Sequence, residues 1–138
     1  LSGVQESAEQ VSALIDAQIA SGIPANRIVL AGFSQGGVVA LHLAPRLDKQ
    51  LAGVMALSTY LCEPGLLSEQ AKETNRHIPF FFAHGNQDEV VPMFMGNAAY
   101  KTLKDNGFNA SWKSYTMQHN VCMQELNDIS TWLQKVLA

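Results

Sequence analysis

Positive charge, cysteine and long apolar runs are all scarce in this sequence, and each scarcity removes a class of function. Nine Lys and Arg against twelve Asp and Glu leave a formal net charge of -3. No basic run occurs anywhere, which argues against nucleic acid or an anionic membrane as the main partner. The two cysteines, Cys62 and Cys122, are too few for a disulfide framework and lie in no metal-ligand spacing. Both are expected to be reduced thiols in a reducing compartment, and no metal is expected. No apolar run approaches the ~20 residues needed to cross a bilayer, because His42, Pro79, His84 and many polar residues interrupt the candidates, so no membrane insertion is expected. Leu1 to Glu6 lacks the basic and apolar regions of a signal peptide. It also lacks a starting Met, and the chain is expected to begin inside a longer one.

What is present suffices for one core. A length of 138 residues with 47% hydrophobic and 15% charged composition predicts a single domain over 1–138. Val4, Ala8, Val11, Ile15 and Ile19 recur at steps of three or four, an apolar helix face, with Glu6, Glu9, Gln10 and Asp16 mostly opposite. Ser2 is the expected cap at its start and Gly22 at its end. Ile28 to Ala31 is an apolar run without alternation, predicting a strand covered on both faces. A helix after Ser34 must stop near Ala44, since Pro45 cannot extend it.

Leu51 to Leu57 reads as a second buried strand. Ser58 to His77 is loop-like and longer than most connections, which suggests a lid or pocket wall. Ile78 to Ala83 is a third strand, with Phe80, Phe81 and Phe82 as sheet core, and His84 to Asp88 forms the loop at its end. Pro92 opens a helix that runs to Asn106 and is closed by Gly107. Asn109 to Thr116 is a strand of mixed polarity, suited to a sheet edge. Val121 to Leu137 is a closing helix with Val121, Leu126, Ile129, Trp132, Leu133 and Val136 on one face. Strands alternating with helices predict an α/β fold whose parallel sheet has about four strands flanked by helices.

In such sheets ligands sit beyond the carboxyl ends of the strands. Three loops there carry one member each of a nucleophilic set: Ser34, Asp88 and His119. Ser34 stands in Gly32-Phe33-Ser34-Gln35-Gly36, between an apolar strand and a helix, the arrangement of a nucleophile elbow. Gly32 and Gly36 are expected to be required because a Cβ at either would crowd a strained turn. The order Ser…Asp…His is that of an α/β-hydrolase. A serine hydroxyl is a poor nucleophile until an imidazole accepts its proton, and a carboxylate fixes the tautomer of that imidazole. The backbone N–H of Gln35 is the expected oxyanion donor.

Rival residues have other readings. Glu89 competes with Asp88 but lies farther from the strand end. His42 falls in the helix after Ser34, as a surface or packing residue. His77 precedes the third strand, at the wrong end of the sheet. His84 sits at the right end and is the serious rival base; a loop-shaping role suits it better. Cys122 is expected to pack rather than react, and Met93, Met95, Met117 and Met123 are more often core than pocket.

Ile23-Pro24-Ala25-Asn26-Arg27-Ile28 leading into Gly32-Phe33-Ser34-Gln35-Gly36-Gly37 resembles the phospholipase/carboxylesterase family, which includes the acyl-protein thioesterases. Leu51-Ala52-Gly53-Val54, Leu57 to Leu61, His84-Gly85 with Asp88 and Val91-Pro92, and His119 followed by Glu125 extend the likeness over nearly the whole chain. The resemblance implies a cytoplasmic serine hydrolase with no cofactor, cleaving small or lipid-like esters or thioesters with apolar acyl groups. It carries the catalytic roles to Ser34, Asp88 and His119, and places Tyr60, Leu61 and Val90 near an acyl pocket. Cys62 departs from it, since the family often has proline there.

The likeness also implies that this is the C-terminal part of an α/β-hydrolase fold. Family members carry an earlier portion with further strands and a His-Gly loop that gives the second oxyanion donor. Without that portion the strand at Ile28–Phe33 is expected to present an unpaired edge, open to pairing with a second copy. A catalytically weak or silent scaffold is the alternative function.

Overall fold

Four of the apolar stretches join one parallel sheet in a computed structural model that describes Ser2–Ala138. The elements run α1 (Ser2–Ala20), β1 (Val29–Phe33), α2 (Gln35–Leu43), β2 (Gly53–Leu57), a short α3 (Leu67–Gln70), β3 (Pro79–Gly85), α4 (Met93–Asp105), β4 (Asn109–Tyr115) and α5 (Met123–Val136). Strand order follows chain order, β1-β2-β3-β4. The register aligns Gly32 with Ala56, Ala56 with Phe82, and Phe82 with Trp112.

Alternation within the central strands distributes the core between two faces, since successive side chains point to opposite sides. Val54, Ala56, Phe80 and Phe82 join the buried residues of α1, α2 and α4 in the larger cluster. Met55, Phe81 and Ala83 face the other way, against Ile129, Trp132 and Leu133 of α5. Gly53 lets Trp132 approach, because a Cβ there would stand 2.7 Å from the indole.

Several expectations change at the boundaries. Ser2 is the first described residue of α1 rather than a cap before it. Gly22 does close that helix, at φ 109°, with the N–H of Ile23 donated back to the Gln18 carbonyl, as a left-handed C-terminal cap requires. β1 is not covered on both faces. It pairs with β2 alone among the described residues, Val29 and Leu30 are half-buried, and Ala31 and Phe33 are exposed. Its other edge has no partner strand among the described residues, which is the open edge expected for Ile28–Phe33.

The long connection between β2 and β3 contains helical turns over Pro64–Leu66 and Leu67–Gln70. It is pinned by Asn75, fully buried, which accepts the Leu51 N–H and donates to the Ala44 and Lys49 carbonyls. The closing helix begins at Met123, so Val121 lies outside it, and Leu126 is 48% exposed. The inward stripe runs through Glu125 instead. β4, as expected, is an edge strand.

Candidate active site

The carboxyl ends of β1, β3 and β4 lie at one end of the sheet, and the sharp turn after β1 sets the first functional side chain there. Ser34 has φ 56° and ψ -118°, a left-side backbone conformation that costs a β-carbon-bearing residue energy and persists only when its surroundings enforce it. Two contacts from the β2 side enforce it: the Ser34 N–H donates to the Leu57 carbonyl, and the Thr59 hydroxyl donates to the Ser34 carbonyl at 2.7 Å. A Cβ on Gly32 would stand 2.3 Å from the carbonyl carbon of Gly36, so glycine is obligatory there. Gly36 itself has open space where its Cβ would be, contrary to the expectation that both flanking glycines are sterically required. The crowded second position is Gly37, whose Cβ would meet the Thr59 side chain at 2.6 Å.

Ser34, His119 and Asp88 come together. The His119 Nδ1 lies 2.7 Å from the Asp88 Oδ2, and its Nε2 lies 2.9 Å from the Ser34 Oγ. A carboxylate only accepts, so Nδ1 carries the proton and Nε2 is left to accept from the serine hydroxyl. Asp88 is buried, and its Oδ1 accepts the N–H groups of Val90 at 2.9 Å and Val91 at 2.8 Å. Burial works to raise its pKa, but the hydrogen bond from His119 and those from Val91 and Val90 outweigh it, so the carboxyl titrates below its usual range. Glu89 is exposed and takes no part in these bonds. Gln35 opens α2, where a backbone N–H has no acceptor within the helix.

The other histidines divide as follows. His42 is buried in α2, where burial first and Arg46 second lower its pKa. His77 is exposed, just before β3. His84 is not in a loop: β3 continues through it to Gly85, and it is buried and far less open than His119.

The three residues expected at an acyl pocket do not share one. Tyr60 and Leu61 line an apolar hollow of about 180 Å³ with Phe94, Met95 and Ala99 of α4. Val90 lies on a separate, more polar depression of about 300 Å³ beside His119, with Gln87, Glu89 and Gln118. A larger depression of about 510 Å³ lies between α1 and the far end of α2, away from Ser34.

Three neighbours of the site escape the sequence pattern. The Phe33 ring lies 4.8 Å from the His119 ring, centroid to centroid. Thr59 holds the Ser34 backbone. Ser58, at φ 51°, keeps a buried hydroxyl without a partner among the described residues. Phe33 stands in the Gly32 to Gly36 motif, and Ser58 and Thr59 stand in the Leu57 to Leu61 stretch, but nothing in either pattern points to these contacts. Cys62 and Cys122 are both free and half-buried.

The sequence profile of the family described as Phospholipase/Carboxylesterase matches residues 2–137. The chain is 40% identical over 127 residues to an acyl-protein thioesterase 1 of Neurospora crassa, covering 90% of this chain and 52% of that protein. An acyl-protein thioesterase 1 of Gibberella zeae is 35% identical over 138 residues, covering 98% and 59%. The crystal structure of Arabidopsis thaliana SOBER1 superposes with a TM-score of 0.93 at 30% identity, over 99% of this chain and 66% of that one. Zea mays acyl-protein thioesterase 2 superposes with a TM-score of 0.85 at 28% identity, over 99% and 66%. The chain therefore spans between half and two-thirds of the length of these proteins.

Proposed function

The chain belongs to the phospholipase/carboxylesterase family, and from that premise we propose that it carries the catalytic residues of a serine hydrolase for carboxylic esters or thioesters with apolar acyl groups. The observation that carries the reading is the unbroken relay from Asp88 Oδ2 through His119 to Ser34 Oγ, at 2.7 Å and 2.9 Å. In this mechanism His119 Nε2 takes the Ser34 proton as Oγ attacks the acyl carbonyl. The ionised Asp88 holds the imidazole in the required tautomer and stabilises the imidazolium. His119 then protonates the leaving alkoxide or thiolate, the acyl group stays on Ser34, and water activated by His119 releases the acid. The Gln35 N–H donates to the developing oxyanion. The apolar hollow at Tyr60 and Leu61 suits the acyl chain, and Val90 lies in the depression beside His119.

Relatives named acyl-protein thioesterase favour a lipid-like acyl group. No helix among the described residues is long and apolar enough to cross a membrane, and the two free thiols suit a reducing, cytoplasmic setting. A fluorophosphonate probe followed by peptide mass spectrometry tests the reading. One adduct on Ser34, lost in Ser34→Ala, is expected, and no adduct in folded protein would remove the catalytic assignment.

A scaffold with little turnover is the second reading, favoured by the open edge of β1. A neighbouring strand, from a longer chain or from a second copy, would add at that edge. Mass in solution separates the two sources: a stable 15.0 kDa monomer counts against pairing between copies.

A further inference from the structure

We infer that His84 is a positioning residue for Asp88, acting through a buried hydrogen bond that clamps the loop carrying the carboxylate. The inference rests on the hydrolase reading for its kinetic consequence, but the geometry stands without it. The His84 Nε2 lies 2.7 Å from the Val91 carbonyl oxygen. A carbonyl only accepts, so Nε2 carries the ring proton and His84 is the donor. The same nitrogen lies 3.5 Å from Asp88 Oδ2, with both side chains excluded from solvent. The donor nitrogen thus lies beside the oxygen that also accepts the His119 hydrogen bond.

Val91 is the point at which the loop is closed. Its N–H is donated to Asp88 Oδ1, and its carbonyl is taken by His84. Together with the Val90 N–H, these bonds tie the carboxylate to its own loop and tie that loop to β3. Val91 is buried, so without His84 its carbonyl has no water to turn to, and leaving a buried acceptor unpaired is costly.

The ring has little freedom to do anything else. Gly96 of α4 lies against its other edge, where a Cβ would stand 2.3 Å from Nδ1. Trp112 of β4 stacks on its face, with centroids 6.0 Å apart and planes 23° apart. Nδ1 faces Gly96, so the donor the ring turns toward the site is Nε2–H, aimed at the Val91 carbonyl. His84 is 1% exposed and makes no hydrogen bond to Ser34 or His119. It touches the reaction only through Asp88.

Two substitutions separate the hydrogen bond from mere filling of space. His84→Gln keeps an N–H near the position of Nε2, whereas His84→Leu keeps volume and removes the donor. If the carboxylate drifts by about 1 Å, the loss in rate is expected to reach ~10²-fold. Leu should therefore lower kcat by 10- to 100-fold on a short p-nitrophenyl ester with KM within about twofold, the signature of an interaction used in the transition state. Gln should recover kcat to within about threefold of wild type. The low-field proton resonance of the His119–Asp88 hydrogen bond should weaken or shift in the Leu protein and return in the Gln protein.

Near-wild-type kcat in the Leu protein overturns the inference, as does an unchanged resonance there, or a folded Gln protein as impaired as Leu. Should Leu fail to fold, Gly96→Ala presses on the ring from behind, and the same fall in kcat at constant KM is expected; unchanged kcat overturns the inference. Should wild type turn over nothing and take no fluorophosphonate adduct, the hydrolase reading fails separately. The resonance in the Leu and Gln proteins still decides the role of His84.

Discussion

Replacing Glu125 by glutamine should stabilise the protein above neutral pH and leave it almost unchanged near pH 4. Glu125 stands on the first turn of α5 with its side chain fully buried, and neither carboxyl oxygen has a partner among the described residues. Burial first, and the negative charge of Asp128 second, raise its pKa from 4.5 to about 7. Between those limits the folded state holds a proton that the unfolded state has released, so its contribution falls as pH rises and is fully lost above about 7. At ~1.4 kcal/mol for each tenfold in proton affinity, the interval amounts to about 3 kcal/mol. Glutamine has nearly the same shape and nothing to titrate. Any cost of burying its amide is the same at every pH.

The quantity to measure is the difference between the two proteins, by urea denaturation at pH 4.5, 6.5 and 8.5. The wild-type profile alone mixes signs, because burial lowers the His42 pKa. A group with a lowered folded-state pKa of that kind makes stability rise as pH rises toward the ordinary histidine value of 6.5. Subtraction removes this contribution. The expected result is a gap that grows with pH in favour of Glu125→Gln, approaching about 3 kcal/mol at the alkaline end. A gap independent of pH would refute the reasoning, since it would mean that Glu125 titrates alike in folded and unfolded protein.

Gly32→Ala should prevent accumulation of folded protein, because its Cβ would stand 2.3 Å from backbone atoms of Gly36, whereas Gly36→Ala meets open space and should shift stability by less than ~1 kcal/mol; thermal melts of the pair check this. Asn75→Ala leaves the Leu51 N–H and two carbonyls without their buried partner and should cost at least ~3 kcal/mol in urea titrations. Asp88→Asn should keep the fold but lower kcat by ~10⁴-fold, since an amide in that place no longer enforces the His119 tautomer; steady-state kinetics beside a circular dichroism spectrum checks it. Because the Asp88 pKa lies below the usual carboxylate range, wild-type activity should show no titration from Asp88 between pH 5 and 8.

The sheet was legible because its strands are apolar runs bounded by turn residues, and the loops that follow β1, β3 and β4 were legible because they hold Ser34, Asp88 and His119. What the sequence concealed depends on which polar residue points inward. The stripe of α5 passes through Glu125, Ile129, Trp132 and Leu133, at steps of four, three and one. Counting only apolar residues substituted Leu126 for Glu125 and tilted the stripe. Asn75 had no periodicity to betray it, since its three bonds reach two separate segments of chain. The open edge of β1 was legible only through the family resemblance, which predicts it at Ile28–Phe33, since an apolar run by itself reads as an enclosed strand. His84 fell on the wrong side of a boundary by two residues, and that shift turns a loop histidine into a clamp at the end of a strand.

The open edge of β1 bears differently on the two halves of the proposed reaction. The hydrogen bonds that reach Ser34 from other elements come from the side of β2 or from beyond it: Leu57 takes the Ser34 N–H, Thr59 binds the Ser34 carbonyl, and His119 meets the Ser34 Oγ. None of these bonds crosses the open edge, so the relay from Asp88 through His119 to Ser34 needs nothing from that side. Ester turnover asks more, because both acylation and deacylation pass through an oxyanion, and Gln35 offers one backbone donor. Withholding a second donor typically costs ~10²–10³ in kcat. Labelling of Ser34 combined with slow ester turnover is therefore the behaviour expected of these residues alone. Addition of a strand that brings a second donor should raise turnover by that factor. Unchanged turnover on such addition would place the defect in Ser34 and His119 themselves.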